Sequence, residues 1–75
     1  MEQRLQQVSF ELEGDYVELN QLLKLVGLAD SGAAGKQRVA GGTVRVDGAV
    51  ELRKTAKIRA GQVVVLDGVE IHVVG

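Results

Sequence analysis

The chain has 75 residues, 45% of them apolar, with no cysteine and a formal net charge of -1. We expect a single small domain over residues 1–75, and the lack of cysteine excludes disulfides and thiolate metal sites and favours a reducing cytoplasm. The longest apolar run, Val63 to Leu66, is far too short to span a bilayer, and residues 1–14 lack the apolar core of a secretory signal. We therefore expect neither a membrane-spanning helix nor a secreted, disulfide-rich domain.

The first predicted elements are a strand and a helix. Apolar and polar residues alternate over residues 8–12, which is the period of a half-buried strand. Asp15 and Glu18 have the spacing of a capping box, so the helix is expected to begin there. Its apolar stripe consists of Leu19, Leu22, Leu23 and Val26. Gly27 is placed to end this helix, with Leu28 folded back over the last turn.

A second, shorter helix is predicted to begin after Ser31, which is a good N-cap, and to end at Gly41 and Gly42. Its side toward the first helix is made of small residues. Gly35 lies in its interior, where a glycine costs about 1 kcal/mol relative to alanine. We interpret Gly35 as a point of close backbone contact between the two helices.

Two later segments predict hairpins around Asp-Gly pairs, a dipeptide that suits the type I′ turn. The terminal hairpin, around Asp67-Gly68, has a regular pattern. The first hairpin, around Asp47-Gly48, has a register conflict, because a two-residue turn pairs Arg45 with Val50 and places the valine on a charged face. We therefore expect a bulge, a longer loop or an irregular return within residues 49–56.

Together these elements predict an α+β fold, in which an N-terminal strand and two antiparallel helices pack on a small antiparallel sheet. A chain this short buries only about 60% of the surface that its unfolded form exposes, so the core is modest. The predicted core residues are Leu19, Leu22, Leu23, Val26, Val39, Val44 and Val46.

The low net charge conceals an uneven distribution. Residues 31–60 carry seven basic and two acidic side chains, a net charge of +5, whereas the rest of the chain has a net charge of -6. The turn at Gly41-Gly42 brings the second helix close to the next strand, so their cations can converge on one patch. The candidate binding residues are Lys36, Arg38, Arg45, Arg53, Lys54 and Lys57. The alternative is a solvated surface whose cations pair with Asp47 and Glu51.

The ligand expected at this patch is a structured RNA, bound mainly through its phosphates. Stacking of bases on aromatic side chains is not expected, because Phe10 and Tyr16 are the only aromatic residues and both lie outside the basic segment. Composition alone does not separate RNA from DNA.

The segment SGAAGKQRVAGGTVRVDG at residues 31–48, preceded by LNQLLKLVGLAD, resembles the S-four-type RNA-binding domain, or alpha-L motif, named for ribosomal small-subunit protein four. The shared pattern is a leucine-rich helix, a short turn, a serine-capped helix and then Gly-x-Val-x-Val-Asp-Gly. The resemblance covers about residues 16–66 of the chain. In its details the sequence looks most like the small stand-alone bacterial members, the YbcJ type.

The resemblance implies that the chain binds structured RNA, with ribosomal or transfer RNA as the expected classes. It assigns the RNA-facing surface to the second helix and the following strand, hence to Lys36 and Arg45, with the cations at 53, 54 and 57 as flanking contacts. Three positions depart from the family pattern: Gly32 replaces a common arginine, Gly35 a usual alanine, and Arg38 an often apolar residue. We expect Arg38 to lay its stem on the core and to extend its head to the patch.

Other functions have less support in the sequence. An enzyme, a cofactor or a small-molecule substrate is not expected, because we expect no acidic or hydroxyl partner for the single histidine, His72, and see no metal-spaced cluster in the sequence. A ubiquitin-like or sulfur-carrier domain acts through a terminal Gly-Gly, whereas this chain ends in Val74-Gly75. A protein-interaction module that docks an acidic partner through the same cations remains open. We expect a monomer.

Overall fold

A computed structural model of the protein describes residues 5–75. The strands are β1 (Gln6–Glu11), β2 (Val17–Glu18), β3 (Arg45–Val46), β4 (Ala49–Val50), β5 (Lys57–Ile58), β6 (Val63–Leu66) and β7 (Val69–Val74). The helices are α1 (Leu19–Leu25) and α2 (Gly32–Ala40). The expectation that the N-terminal stretch is not a secretory signal involves residues 1–4, which lie outside the described residues. Neither α1 nor α2, the helices of residues 5–75, has the length and hydrophobicity that a membrane-spanning helix requires.

The main sheet has five strands in the order β1-β7-β6-β3-β4. Neighbours from β7 to β4 are antiparallel, as predicted, while β1 joins the edge parallel to β7 with Val8 opposite Ile71. A parallel pair needs a long crossover connection, and here the rest of the domain provides it. The α+β class with two helices packed on a sheet is confirmed, and the sheet is mixed because of β1.

The start of α1 differs from the prediction. Asp15 does not cap the helix, because the chain after it is extended as β2 and pairs with β5. The helix begins four residues later, with Glu18 at the N-cap position and no side-chain cap. Its first two N–H groups donate instead to carbonyl oxygens of the loop before β5, at 2.9 and 3.1 Å. The predicted capping box is therefore wrong, and carbonyl groups of a distant loop accept the hydrogen bonds of the helix start instead.

The end of α1 is the one predicted. Gly27 has a φ of +85°, and its N–H donates to Lys24 O at 3.1 Å. The N–H of Leu28 donates to Leu23 O at 2.9 Å. These two bonds form a Schellman motif, and Leu28 packs against the core as a half-buried side chain. The turn sends the chain back toward α2.

The contact between the two helices passes through Gly35, as predicted. Ser31 caps α2 by accepting a hydrogen bond from Ala34 N at 3.1 Å. Gly35 is buried, and a Cβ added to it would overlap the carbonyl oxygen of Asn20 and lie 3.1 Å from the Cα of that residue. Glycine is required here because any side chain would push the helices apart.

The first hairpin is more regular than predicted. Asp47 and Gly48 have φ values of +51° and +85°, the left-handed conformations of a type I′ turn. Arg45 pairs directly with Val50, so there is no bulge at the turn. Val50 is 48% exposed on the face that it shares with the arginine. The edge strand β4 has only two residues, so the turn determines the register and one valine stays exposed. The irregular return is confined to residues 51–56.

The core lies between the helices and one face of the sheet. Of the seven predicted core residues, five are fully buried, while Val26 and Val46 are half-buried at its edge. The remaining core side chains come from the loop before β5, β5 itself and the terminal hairpin: Ala56, Ile58, Val64, Leu66, Ile71 and Val73. The terminal hairpin thus provides most of the sheet's share of the core.

Candidate functional site

An open groove lies between α2 and the loop that joins β4 to β5. It has a volume of about 790 Å³. We call it the main groove; it is lined by Lys36, Leu52, Arg53, Lys54, Thr55, Ala56 and Lys57. Helix α2, the loop and the first residue of β5 thus place four cationic residues around one open space. The groove is the natural candidate for a binding site.

Backbone hydrogen bonds hold the loop of the main groove in place. Leu19 N donates to Ala56 O at 2.9 Å, and Asn20 N donates to Lys54 O at 3.1 Å. At the other end of the loop, Glu51 N donates to Val44 O, just before β3, at 3.0 Å. The start of α1 therefore fixes the backbone that carries Lys54, and the lysine side chain itself extends into solvent.

Three lysines of the groove are not neutralised by the protein. Within residues 5–75, no carboxylate lies within 4.0 Å of the ammonium group of Lys36, Lys54 or Lys57. All three residues are exposed. The charges of such a cluster repel one another and attract mobile anions. An anionic ligand that displaces those anions binds more tightly because their release is favourable.

Arg53 differs from these lysines, because it is paired. Its Nε and Nη2 donate to the two carboxylate oxygens of Glu51 at 3.1 and 3.0 Å, and its backbone N–H donates to Glu51 Oε2 at 2.9 Å. The side-chain hydrogen bond from Arg53 lowers the pKa of Glu51 to about 2, and the same pairing raises the pKa of Arg53. This contact fixes the turn that precedes Lys54, while the Arg53 side chain stays 80% exposed in the groove.

The two other predicted contacts lie away from the main groove. Arg38 Nη1 is paired with Asp67 Oδ2 at 2.5 Å, so its head bridges α2 to the turn between β6 and β7. Arg45 projects from β3 and donates to Gly48 O at 3.5 Å, at the limit of hydrogen-bond distance. Neither residue lines the main groove. The structure thus groups four of the six predicted residues and leaves the roles of these two as predictions.

The sequence interpretation missed the position of Tyr16. This residue precedes β2, and the pairing of β2 with β5 brings its ring beneath Lys57 Nζ, 5.0 Å from the ring centroid. Tyr16 lies outside the basic segment in sequence, as noted, but beside it in space. Two strands of two residues each, separated by 38 positions, leave no periodic pattern that would reveal the contact.

His72 also has a neighbour that the sequence interpretation overlooked. Its Nε2 lies 2.6 Å from Glu70 Oε1, two residues back on the same face of β7, so the expectation of no acidic partner was wrong. Both side chains are half-buried and lie away from the main groove. Over residues 5–75, no group of three or more His, Asp or Glu side chains is placed to hold a metal ion.

Comparisons with known proteins show the family of the chain. The S4 domain matches residues 10–74, which is most of the chain. The chain belongs to the S4 domain family. The YbcJ protein of Escherichia coli strain K12 is 54% identical over 59 residues, which cover 79% of this chain and 84% of that protein; YbcJ of Shigella flexneri matches equally well.

A solved structure extends the same likeness to the fold. The solution structure of E. coli YbcJ, described as having an alfaL motif involved in RNA-binding, superposes with a TM-score of 0.66 at 46% identity. The match covers 96% of this chain and 90% of that one. The predicted resemblance to the alpha-L motif and to its small YbcJ-type members is confirmed.

Proposed function

We propose that this protein is a non-catalytic module that binds structured RNA in the bacterial cytoplasm, with the main groove as its principal contact surface. The observation that carries the proposal is the grouping of Lys36, Lys54 and Lys57 around one groove, with no carboxylate partner among residues 5–75. Family membership supports it, since E. coli YbcJ is described as having a motif involved in RNA-binding.

The chemistry of the groove favours phosphates over base edges as the main ligands. Lysine ammonium groups are compact, hydrated charges that contact phosphates without reading sequence. Arg53, already ordered by Glu51, presents its remaining N–H groups at the rim. A groove of this kind follows the shape of a folded RNA, and ribosomal or transfer RNA are the classes that we propose as ligands.

Binding titrations with a labelled RNA hairpin test the proposal through charge substitutions. Lys54→Ala should weaken binding several-fold and make the salt dependence shallower by about one unit of slope, because one phosphate contact is lost. With about three or four phosphates neutralised, the wild-type slope of log affinity against log salt is roughly -3. Lys24→Ala, an exposed lysine of α1 outside the groove, is the matched control and should leave both quantities unchanged.

Competition separates RNA from an acidic protein as the partner. A structured RNA should displace the labelled hairpin far better than a polyanionic peptide of equal charge, because shape and 2′-hydroxyl contacts add to the charge attraction only for RNA. Equal displacement by the peptide would favour the protein-interaction module instead. Cross-linking in cells, followed by sequencing of the recovered RNA, then identifies whether ribosomal or transfer RNA is enriched.

A further inference from the structure

Tyr16 occupies an unusual place on the surface. The antiparallel register of β2 and β5 pairs Val17 with Ile58, which puts Tyr16 and Arg59 side by side on the outer face. The ring is 42% exposed, and the guanidinium carbon of Arg59 lies 5.7 Å from its centroid. Lys57 Nζ, at 5.0 Å, approaches the same ring. Two cationic side chains thus lie over this exposed aromatic ring, and Glu18, opposite Lys57 in the register, adds a carboxylate to the same face.

Lys57 links this ring to the main groove. Lys57 is one of the residues that line the groove, and its Nζ lies over Tyr16, so the ring lies beside the groove. An RNA strand whose phosphates follow the lysines of the groove would therefore reach Tyr16 at its next nucleotides. Arg59 continues the line of cations beyond Lys57 on β5 and its following residue.

Tyr16 also forms part of a second, smaller groove of about 350 Å³. The small groove is lined by Phe10, Glu11, Leu12, Glu13, Tyr16, Val17 and Leu25. Its walls are mostly apolar, and Leu25 is 58% exposed. The two carboxylates repel a phosphate but not an uncharged base. For a bound nucleotide, the charges would therefore favour the sugar-phosphate backbone at Lys57 and Arg59 and the base at the aromatic ring.

We propose that Tyr16, Lys57 and Arg59 form a subsite for one unpaired nucleobase, which stacks on the tyrosine ring while the two cations contact the neighbouring phosphates. The inference rests on the proposed RNA-binding function and deepens it. A base inside a helix is already stacked, so the preferred ligand has a bulge or loop next to its helical part. Stacking on this ring adds a contact mode that the sequence interpretation did not expect.

The cations over the ring do not block the subsite. Lys57 and Arg59 have long side chains and are exposed, so their heads can move to an arriving phosphate. A cation over an exposed ring is held less strongly than a base stacked on it. The free protein keeps the ring in place by these contacts, and the bound RNA replaces one of them.

Three RNA hairpins test the inference: a fully paired stem, the same stem with one bulged adenosine, and the same stem with an abasic residue in the bulge. The wild-type protein should bind the adenosine bulge roughly 5- to 150-fold more tightly than the abasic bulge, the range expected for one base stacked on an aromatic ring. Tyr16→Leu should abolish this preference, measured as the ratio of that variant's own affinities for the adenosine bulge and the abasic bulge. Tyr16→Phe, which keeps the ring, should retain the preference.

A spectroscopic readout keeps the test independent of variant folding. With 2-aminopurine in the bulge, stacking on Tyr16 should change the fluorescence of the base on addition of wild-type protein, and Tyr16→Leu should not produce this change. Equal affinities of the wild type for the adenosine and abasic bulges, or an unchanged fluorescence, overturn the subsite while binding of the paired stem still supports the proposed function. Failure to bind any of the three hairpins overturns both.

Discussion

The two hairpins of this protein share one turn chemistry and differ in nearly everything else. Both turn on Asp-Gly, with φ values of +51° and +85° in the first hairpin and +51° and +74° in the second. The first has strands of two residues and ends at the edge of the sheet; the second has strands of four and six residues and lies in its interior. The local Asp-Gly sequence determines the type of turn, whereas the flanking residues determine the length of the strands and their position in the sheet.

The two turn aspartates show how this difference arises. Asp47 is bonded into the sheet: its N–H donates to Val63 O at 2.8 Å, and its Oδ1 accepts from Val63 N at 3.0 Å. Asp67 instead reaches across to Arg38 on α2, through an exposed ion pair. The first turn is thus bonded to β6 and holds the sheet edge at β4, after which the loop of the main groove begins. The second turn is linked to α2 through the ion pair of Asp67 with Arg38.

The largest expected effect is on the free energy of unfolding, because the second hairpin contributes buried side chains to the core and the strand β4 of the first does not. Ile71→Ala, in the fully buried centre of β7, should reduce the free energy of unfolding by about 2–5 kcal/mol, because it leaves a cavity in a small core. Val50→Ala, in β4, should change it by no more than about 0.5 kcal/mol, because that side chain is 48% exposed. Urea denaturation measures both. Similar losses for the two variants would show that β4 is packed in solution.

A smaller effect compares the turns themselves. Asp47→Ala and Asp67→Ala lose the same tolerance for the left-handed conformation, so that cost largely cancels between them. Asp47→Ala also removes an acceptor for the Val63 N–H, and should be the more destabilising by about 1 kcal/mol. Asp67→Ala loses only an exposed ion pair, which contributes about 0.2–1 kcal/mol.

The control for this pair is asparagine, which tolerates the left-handed conformation and keeps an acceptor oxygen. Asp47→Asn should recover most of the stability lost in Asp47→Ala. Thermal and urea unfolding of the three variants give the differences directly. A larger loss for Asp67→Ala than for Asp47→Ala would contradict the roles assigned to the two carboxylates.

Much of the fold was predictable because its determinants are local. The Schellman end of α1 at Gly27, the Ser31 cap and both Asp-Gly turns depend on residues a few positions apart. Gly35 was also interpreted correctly, since a glycine inside a helix is costly without a close neighbour. The error at Asp15 has the opposite origin: the true partner of the helix start is a loop more than 30 residues away, and no local pattern encodes it.

The candidate site was predictable only in part for the same reason. Basic residues concentrated in one segment indicated where cations would gather, and four of them do line one groove. Which cations are paired depends on long-range geometry: Arg38 meets a carboxylate 29 positions away, and Tyr16 meets Lys57 across a two-residue ribbon. Periodicity shows which face of an element is inward, but it does not show which outward side chains meet.

The smallest expected effect concerns the pH dependence of the loop that leaves the first hairpin. The pKa of Glu51 is lowered from 4.5 to about 2 by its hydrogen bonds with Arg53, so the pair stabilises the folded protein above pH 4.5 and loses that contribution as the pH falls through about 2. Glu51→Gln should therefore melt a few degrees below the wild type at pH 6, and the two should converge near pH 2. The difference at pH 6 should also shrink in 1 M salt, because Arg53 is exposed.

Asp67→Asn is the matched control at the second hairpin, since it removes a carboxylate of an exposed ion pair and leaves the pairing of Glu51 with Arg53 intact. A melting difference for Glu51→Gln that stays the same from pH 6 to pH 2 would mean that Glu51 orders the loop by its shape rather than by its charge, and the lysines of the main groove would then keep their arrangement in acid.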